Sequence, residues 1–516
     1  MASSILAIAS LAAQQPPNGA EHQKLRPAGV AGTFYPADPA ALTAIMDTML
    51  HQVSLPKING QVVAAVSPHA GYPYSGPVAA YTYAALKGHK FSRVVVIAPS
   101  HYEAFDFTSV YDGDGYVTPL GTVPVDKTFV RELVKMDSSI KLSELGHTAT
   151  HDGAEHAIEV ELPWLQHVLG DFTLVPIVMG DQSYESSRAL GLALAKLIRK
   201  EQQHQSANPE EPGGETLVLA SSDLSHFHTY DEAEKIDHKT LNALQAFDYF
   251  TMSQNFQYRG PGQPGIWEAC GGAPIVAAMI YAERMGARQA EVLRYANTGD
   301  VTGDHSRVVG YSADVFLKAP DGKATEAPFT LNEQEEKQLL ALARNAVERA
   351  VRDHKLNDPA ATGDLALDQE RGAFVTLTIG GELRGCIGFI MPVVPLYNAV
   401  NVTAAKAAVE DPRFMPVSEQ ELPKLEYEIS VLSPLVRVLD VNQIVVGKHG
   451  LLMKNGDREG LLLPQVPVEQ HWDRNTFLEQ TCVKAGMPRD CWKDENTDIF
   501  RFTAFVFDEH HQLVAN

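Results

Sequence analysis

At 516 residues the chain is longer than one hydrophobic core usually organises, so two or more domains are expected. With 42 Lys and Arg against 64 Asp and Glu its formal charge is −22, a balance that disfavours nucleic acid phosphates and acidic membrane surfaces as partners. Four cysteines, at 270, 386, 482 and 491, are too few and too scattered for a disulfide framework, and a reducing, cytoplasmic compartment is the expectation.

Residues 1–27 open with an apolar run at 5–13 and continue Gln- and Pro-rich. No Lys or Arg precedes the run, so the positive region of a secretory signal is missing, and the segment is expected to be disordered. No stretch reaches the roughly 18 apolar residues that span a bilayer. From residue 28 the text becomes regular, with strands predicted at 62–66, 94–98, 172–178 and 216–220 and helices at 77–86 and 236–247. Strands alternating with helices predict an α/β domain over 28–318, a mainly parallel sheet flanked by helices.

Residues 319–329 read as a linker. Asn332 followed by Glu335 predicts a capped helix through about residue 353, opening a second domain over 330–516. Hairpins are predicted where 373–378 and 383–390 flank Gly380-Gly381, and where 450–453 and 460–463 flank Asn455-Gly456-Asp457. Helices at 396–409 and 474–485 and strands at 427–432 and 501–507 make this smaller domain α+β.

The chemistry of the first domain sits just past its strands. His69 in Ser-Pro-His-Ala-Gly and His101 in Pro-Ser-His follow apolar, β-branched runs, and Asp223 and His226 follow the 216–220 strand. Cys270 precedes a helix predicted at 274–284, whose N-terminus favours thiolate. A histidine alone is more often a core or loop residue than a ligand. Several at the same end of successive parallel strands form a shared site. His69, His101 and Cys270 are therefore read as metal ligands, with Asp223 and His226 as catalytic residues, one able to ligate and the other to shuttle protons. The polar cluster of His151, Asp152, Glu155, His156, Glu159 and Glu161 reads as a solvated helix start, with Glu155 and Glu159 on one helical face.

Ser-Pro-His-Ala-Gly-Tyr at 67–72, Pro-Ser-His at 99–101, Glu-His-Ala-Ile-Glu at 155–159, Ser-Ser-Asp-Leu-Ser-His at 221–226 and Cys-Gly-Gly at 270–272 resemble the Memo family over about residues 25–317. That family resembles class III extradiol dioxygenases in fold. The resemblance implies a metal site at His69, His101 and Cys270, with Asp223 and His226 beside it. Those dioxygenases hold Fe(II) with two histidines and a carboxylate, whereas here a cysteine stands in the carboxylate's place. Fe(II) is the expected cofactor, with Cu or Zn as alternatives.

In the second domain, Leu383-Arg384-Gly385-Cys386-Ile387-Gly388 places a cysteine on a strand beside an arginine whose charge would favour thiolate. Glu410-Asp411-Pro412-Arg413-Phe414, Glu428 and Gly447-Lys448-His449-Gly450 follow, and Cys386 with a His and a Glu could supply a nucleophile, base and orienter. The plainer reading is a small buried residue where backbones approach closely. Cys482 and Cys491 read as packing. From about residue 329 the chain resembles the AMMECR-type domain, and both families are partners of a radical SAM protein in the set called AmmeMemoRadiSam. The function expected is a metal-dependent oxidoreductase, an extradiol-type dioxygenase acting on a catechol-like diol and O2. The alternatives are a non-catalytic iron-, copper- or peptide-binding regulatory protein, and a metal- or Cys-dependent hydrolase.

Overall fold

The computed structural model describes residues 23–509, apart from 150–152, 208–213, 257–268, 319–329, 356–358, 360–361, 363, 365, 393 and 495. The apolar run at 5–13, His151, Asp152 and the linker lie outside the described residues. Residues 23–27 were expected to be disordered, but Leu25–Arg26 pairs in parallel with Gly115–Thr118. The reason is Arg26, whose buried guanidinium donates to Glu159 Oε2 at 2.6 Å.

Four β-branched runs form the centre of a nine-stranded sheet, in the order Gln61–Ser67, Glu215–Ser221, Phe91–Pro99, Thr173–Met179. All four are parallel. Val94, Val95, Val96 and Ile97 are fully buried, as expected of a strand covered on both faces. The flanks are antiparallel: Val308–Lys318 against Gln61–Ser67, Gln289–Asn297 against Val308–Lys318, and Thr108–Val110 against Thr173–Met179. Only a short helix and turn separate Gln289–Asn297 from Val308–Lys318, too little chain for a parallel crossover.

Register brings the strand ends into line. Ser67 pairs with Ser221, and Ala220 pairs with Ile97. His69, Asp223 and His101 each lie two residues beyond the last strand residue, Ser67, Ser221 and Pro99, so they emerge at one edge of the sheet. The helix Gly272–Arg284 carries Cys270 to the same edge. A Cβ on Gly271 would fall 2.5 Å from the Ser221 carbonyl oxygen, so only glycine permits this approach.

In the second half, Asn332 and Glu335 form the capping box of helix Glu333–Arg352, which buries Leu339, Ala343 and Val347. Ala373–Ile379 and Glu382–Phe389 form the expected hairpin, with Gly380 at φ 59° and Gly381 at φ 84°. Gly450–Asn455 pairs with Arg458–Leu462 across the second predicted turn. The expected strand 501–507 is instead two, Asp498–Phe502 and Ala504–Asp508, which break at Thr503 and join different four-stranded sheets. Cys482 and Cys491, read as packing residues, form a disulfide with Cα atoms 5.8 Å apart, since helix Arg474–Lys484 ends at a turn that folds the chain back.

The two halves share apolar core. Leu432, Leu435 and Leu452 pack into the main cluster of the first half, and the rings of Phe250 and Phe500 lie 5.0 Å apart. Asp498 bonds to Tyr184 and Arg188 across the junction. No helix among the described residues is long and apolar enough to cross a membrane.

Candidate metal centre

His69 is fixed at three points. Its amide donates to Asp223 Oδ1 at 2.9 Å, its Nδ1 meets Ser221 Oγ at 2.8 Å, and its Nε2 lies 3.2 Å from Cys270 Sγ. Burial lowers its pKa well below the ordinary range, and the neighbouring imidazoles of His101, His156 and His226 push the same way. The ring is therefore neutral, the form that ligates metals.

Cys270 Sγ accepts the Asp223 amide at 3.2 Å. Its thiol was expected to be acidified by the helix N-terminus. Burial instead pushes its pKa up, and the Asp223 charge adds to this, so without a cation the group is a thiol. Asp223 Oδ2 lies 3.9 Å from His69 Nε2, and burial raises that carboxyl to about 6 against the opposing charge of His226. His226 turns its Nδ1 to the Leu224 carbonyl at 2.9 Å, and its charge reaches both Asp223 and His69.

On the other side of His69, the His101 ring stands edge-on with centroids 5.1 Å apart. Glu155 holds His101 through its Nδ1 and its amide. Burial opposes the charged form of His101, but Glu155 outweighs it and raises the pKa. The His156 ring stacks on His101 at 4.7 Å, and burial followed by the His101 charge lowers it to about 4.

Among the described residues two sets of ligand atoms therefore meet at one residue: His69, His101 and His156, and His69, Asp223 and Cys270, each set within 4.8 Å. The predicted ligands His101 and Cys270 belong to different sets, and His69 is common to both. Imidazole nitrogen, thiol sulfur and carboxylate oxygen fit a borderline cation such as Fe(II), Zn(II) or copper.

Glu155, His156 and Glu161 were missed as parts of this site. The region is not a solvated helix start: Glu155, Glu159 and Glu161 are all buried, and the helix begins only at Glu161. Glu159 instead receives Arg26, the amides of Gly29 and Val30, and Tyr35. Glu161 Oε1 accepts from Ser221 Oγ at 2.9 Å, its other oxygen accepts from Tyr83, and burial raises it to about 8. The signal was present in the apolar residues around these acids, Ala157, Ile158, Val160, Leu162 and Trp164, all of which are buried.

Around Cys386 the described residues place Asp411, which accepts the Cys386 amide at 2.8 Å, and Arg413, whose charge opposes the effect of burial on the thiol. Arg384, expected to favour a thiolate there, pairs with Glu421 at 2.7 Å. Thr376 Oγ1 donates to the Cys386 sulfur at 3.3 Å, and burial raises the thiol's pKa. Glu428 does lie opposite Thr376 on the next strand. His449, the expected base, is engaged elsewhere, accepting the Val445 amide at Nδ1 and meeting Arg501 at Nε2.

Residues 26–315 match the family model described as Memo-like protein, and residues 340–507 match that of AMMECR1. A MEMO1 family protein of Methanopyrus kandleri, MK0963, is 34% identical over 302 residues, 57% of this chain and 99% of that protein. Protein TK0174 of Thermococcus kodakarensis is 46% identical over 183 residues, covering 34% of this chain and 89% of that protein. The crystal structure of the uncharacterized protein PH0010 from Pyrococcus horikoshii is 41% identical and covers 35% of this chain and 94% of its own, at a TM-score of 0.34. With residues 26–315, more than half of its length, matched to the Memo model, the chain belongs to the Memo family and carries an AMMECR1 domain behind its Memo domain.

Proposed function

We propose that the Memo half is a metal-dependent oxidoreductase that opens the ring of a catechol-like aromatic diol with O2, using Fe(II) held by His69, His101 and Cys270. The observation that carries this reading is the anchoring of the two imidazoles. Each is tied through Nδ1, His69 to Ser221 and His101 to Glu155, so that both rings present Nε2, that of His69 beside the Cys270 sulfur at 3.2 Å. Bound Fe(II) supplies the one-electron chemistry that O2 requires, which Zn(II) lacks. Asp223, with its carboxyl near 6, accepts a proton from a diol hydroxyl at neutral pH, and His226 relays it. The AMMECR1 half serves the same reaction sequence, with a radical SAM protein as a partner.

Anaerobic loading with Fe(II), followed by oxygen-uptake assays on a panel of catechols, tests this reading. Consumption should exceed that of the His101→Ala control; equal rates would remove it. One observation favours a second reading, capture of copper or iron without turnover: the Cys270 sulfur, a donor suited to copper, lies 3.2 Å from His69 Nε2. Tight stoichiometric copper binding with no oxygen uptake would favour it.

A further inference from the structure

A groove of about 1,080 Å3 runs along the junction of the two halves, away from the metal centre. Among the described residues its lining carries eight Lys and Arg against four Asp and Glu, although the chain as a whole is strongly acidic. Three of these cations converge on a single carboxylate. Asp498 receives Arg188 Nε at 2.5 Å and Arg437 Nη2 at 2.7 Å, and Arg284 Nη2 stands 3.9 Å away. Asp498 is the carboxylate these three guanidiniums share, and burial raises the pKa of Glu283 beside them against the pull of Arg437 and Arg284. Residues lining the groove also bury donors with no hydrogen-bond partner among the described residues: Arg284 Nε, Arg437 Nε and the indole N–H of Trp492. All three are donors, so what they lack is an acceptor.

Along the rim, Lys196, Arg199 and Lys200 stand exposed on one face of the helix Tyr184–Ala207. Like charges at this spacing repel one another, and an anion lying beside them relieves the repulsion. Guanidinium forks suit phosphate oxygens, and a cleft lined by one sign of charge concentrates ligands of the other.

We propose that this groove binds a phosphorylated small molecule of nucleotide size, its phosphates toward the arginines and the Lys196 face. The AMMECR1 half contributes Arg437 and Trp492 and the Memo half contributes Arg188 and Arg284, so the site exists only where both halves meet.

The test is isothermal titration of the full-length protein with inorganic pyrophosphate and with ATP, for the natural chain and for the exposed-face variant Lys196→Glu/Arg199→Glu/Lys200→Glu. Metal content is measured in parallel, to separate the groove from the His69 centre. The expected result is binding that weakens at least about tenfold in the variant and falls with added salt, at unchanged metal content. Binding of both probes marks a general polyphosphate site, and binding of ATP alone marks a nucleotide site. Three results would each overturn the proposal: neither probe binding at millimolar concentration, equal binding by the variant, or capture of an RNA oligomer while both probes fail.

Discussion

Glu155 grips His101 with both carboxylate oxygens, Oε1 accepting from the ring Nδ1 at 2.9 Å and Oε2 from the backbone amide at 2.7 Å. Its Oε1 also accepts the amides of His156 and Ala157, so one buried acid sets two of the three imidazoles. Glu155→Ala is expected to weaken metal binding by about 10–100-fold, because the His101 ring loses its fixed orientation. Competition titration with a chromogenic chelator checks this. The more conservative Glu155→Gln should lose less, since its amide oxygen still accepts from His101.

Cys270 is a thiol in the metal-free chain, and metals bind the thiolate. Metal binding should therefore release a proton from Cys270 near neutral pH, and Cys270→Ser should release fewer. Pipetting metal into weakly buffered protein with a pH indicator reads this directly. The same burial predicts slow alkylation of Cys270 by iodoacetamide in the metal-free protein.

Glu161 contributes a pH dependence whose sign is fixed by its burial. Its folded pKa of about 8 lies above the ordinary value of 4.5, so the folded chain holds the proton more tightly than the unfolded one. Its contribution to stability is fully present below 4.5 and is lost as the pH rises toward 8. Urea denaturation of Glu161→Gln against the natural chain should give a difference in midpoint that moves in the variant's favour over that range. A difference that stays flat would mean the carboxyl is already ionised in the fold.

Arg26 and Glu159 form a buried pair, with side chains 3% and 0% exposed. Arg26→Ala leaves the Glu159 charge buried without its guanidinium and should destabilise the fold by about 3–5 kcal/mol, read from denaturation midpoints. Because Glu159 also holds Gly29, Val30 and Tyr35, the loss should extend to the segment that packs beside His156 through Phe34.

His69, His101 and Asp223 were legible in the sequence because an apolar strand-like run ends three residues before each of them, and parallel topology carries such ends to one edge. Cys270 was legible from the helix predicted to follow it, and Gly271 lets the chain there approach the Ser221 carbonyl. His156, Glu155 and Glu161 were not, because helical spacing among acids was read as an exposed face while the chain there is a turn packed inside the core. The acidity of Cys270 was misjudged for a related reason: a helix N-terminus acts on an exposed thiol, and here burial outweighs it. The strand beyond His449 belongs to the other sheet of that half from Cys386, a division that the sequence does not signal. The junction groove has no local signature at all, because Arg188, Arg284 and Arg437 come from three distant segments.

His69 belongs to both sets of candidate ligands, which makes its replacement the sharpest measurement. Elemental analysis of protein purified without added metal should find about one transition metal ion per chain, lost in His69→Ala and reduced in Cys270→Ala. Metal content in His69→Ala equal to that of the natural chain, or no uptake by the natural chain when iron, copper and zinc are each supplied, would contradict a metal centre at this edge of the sheet.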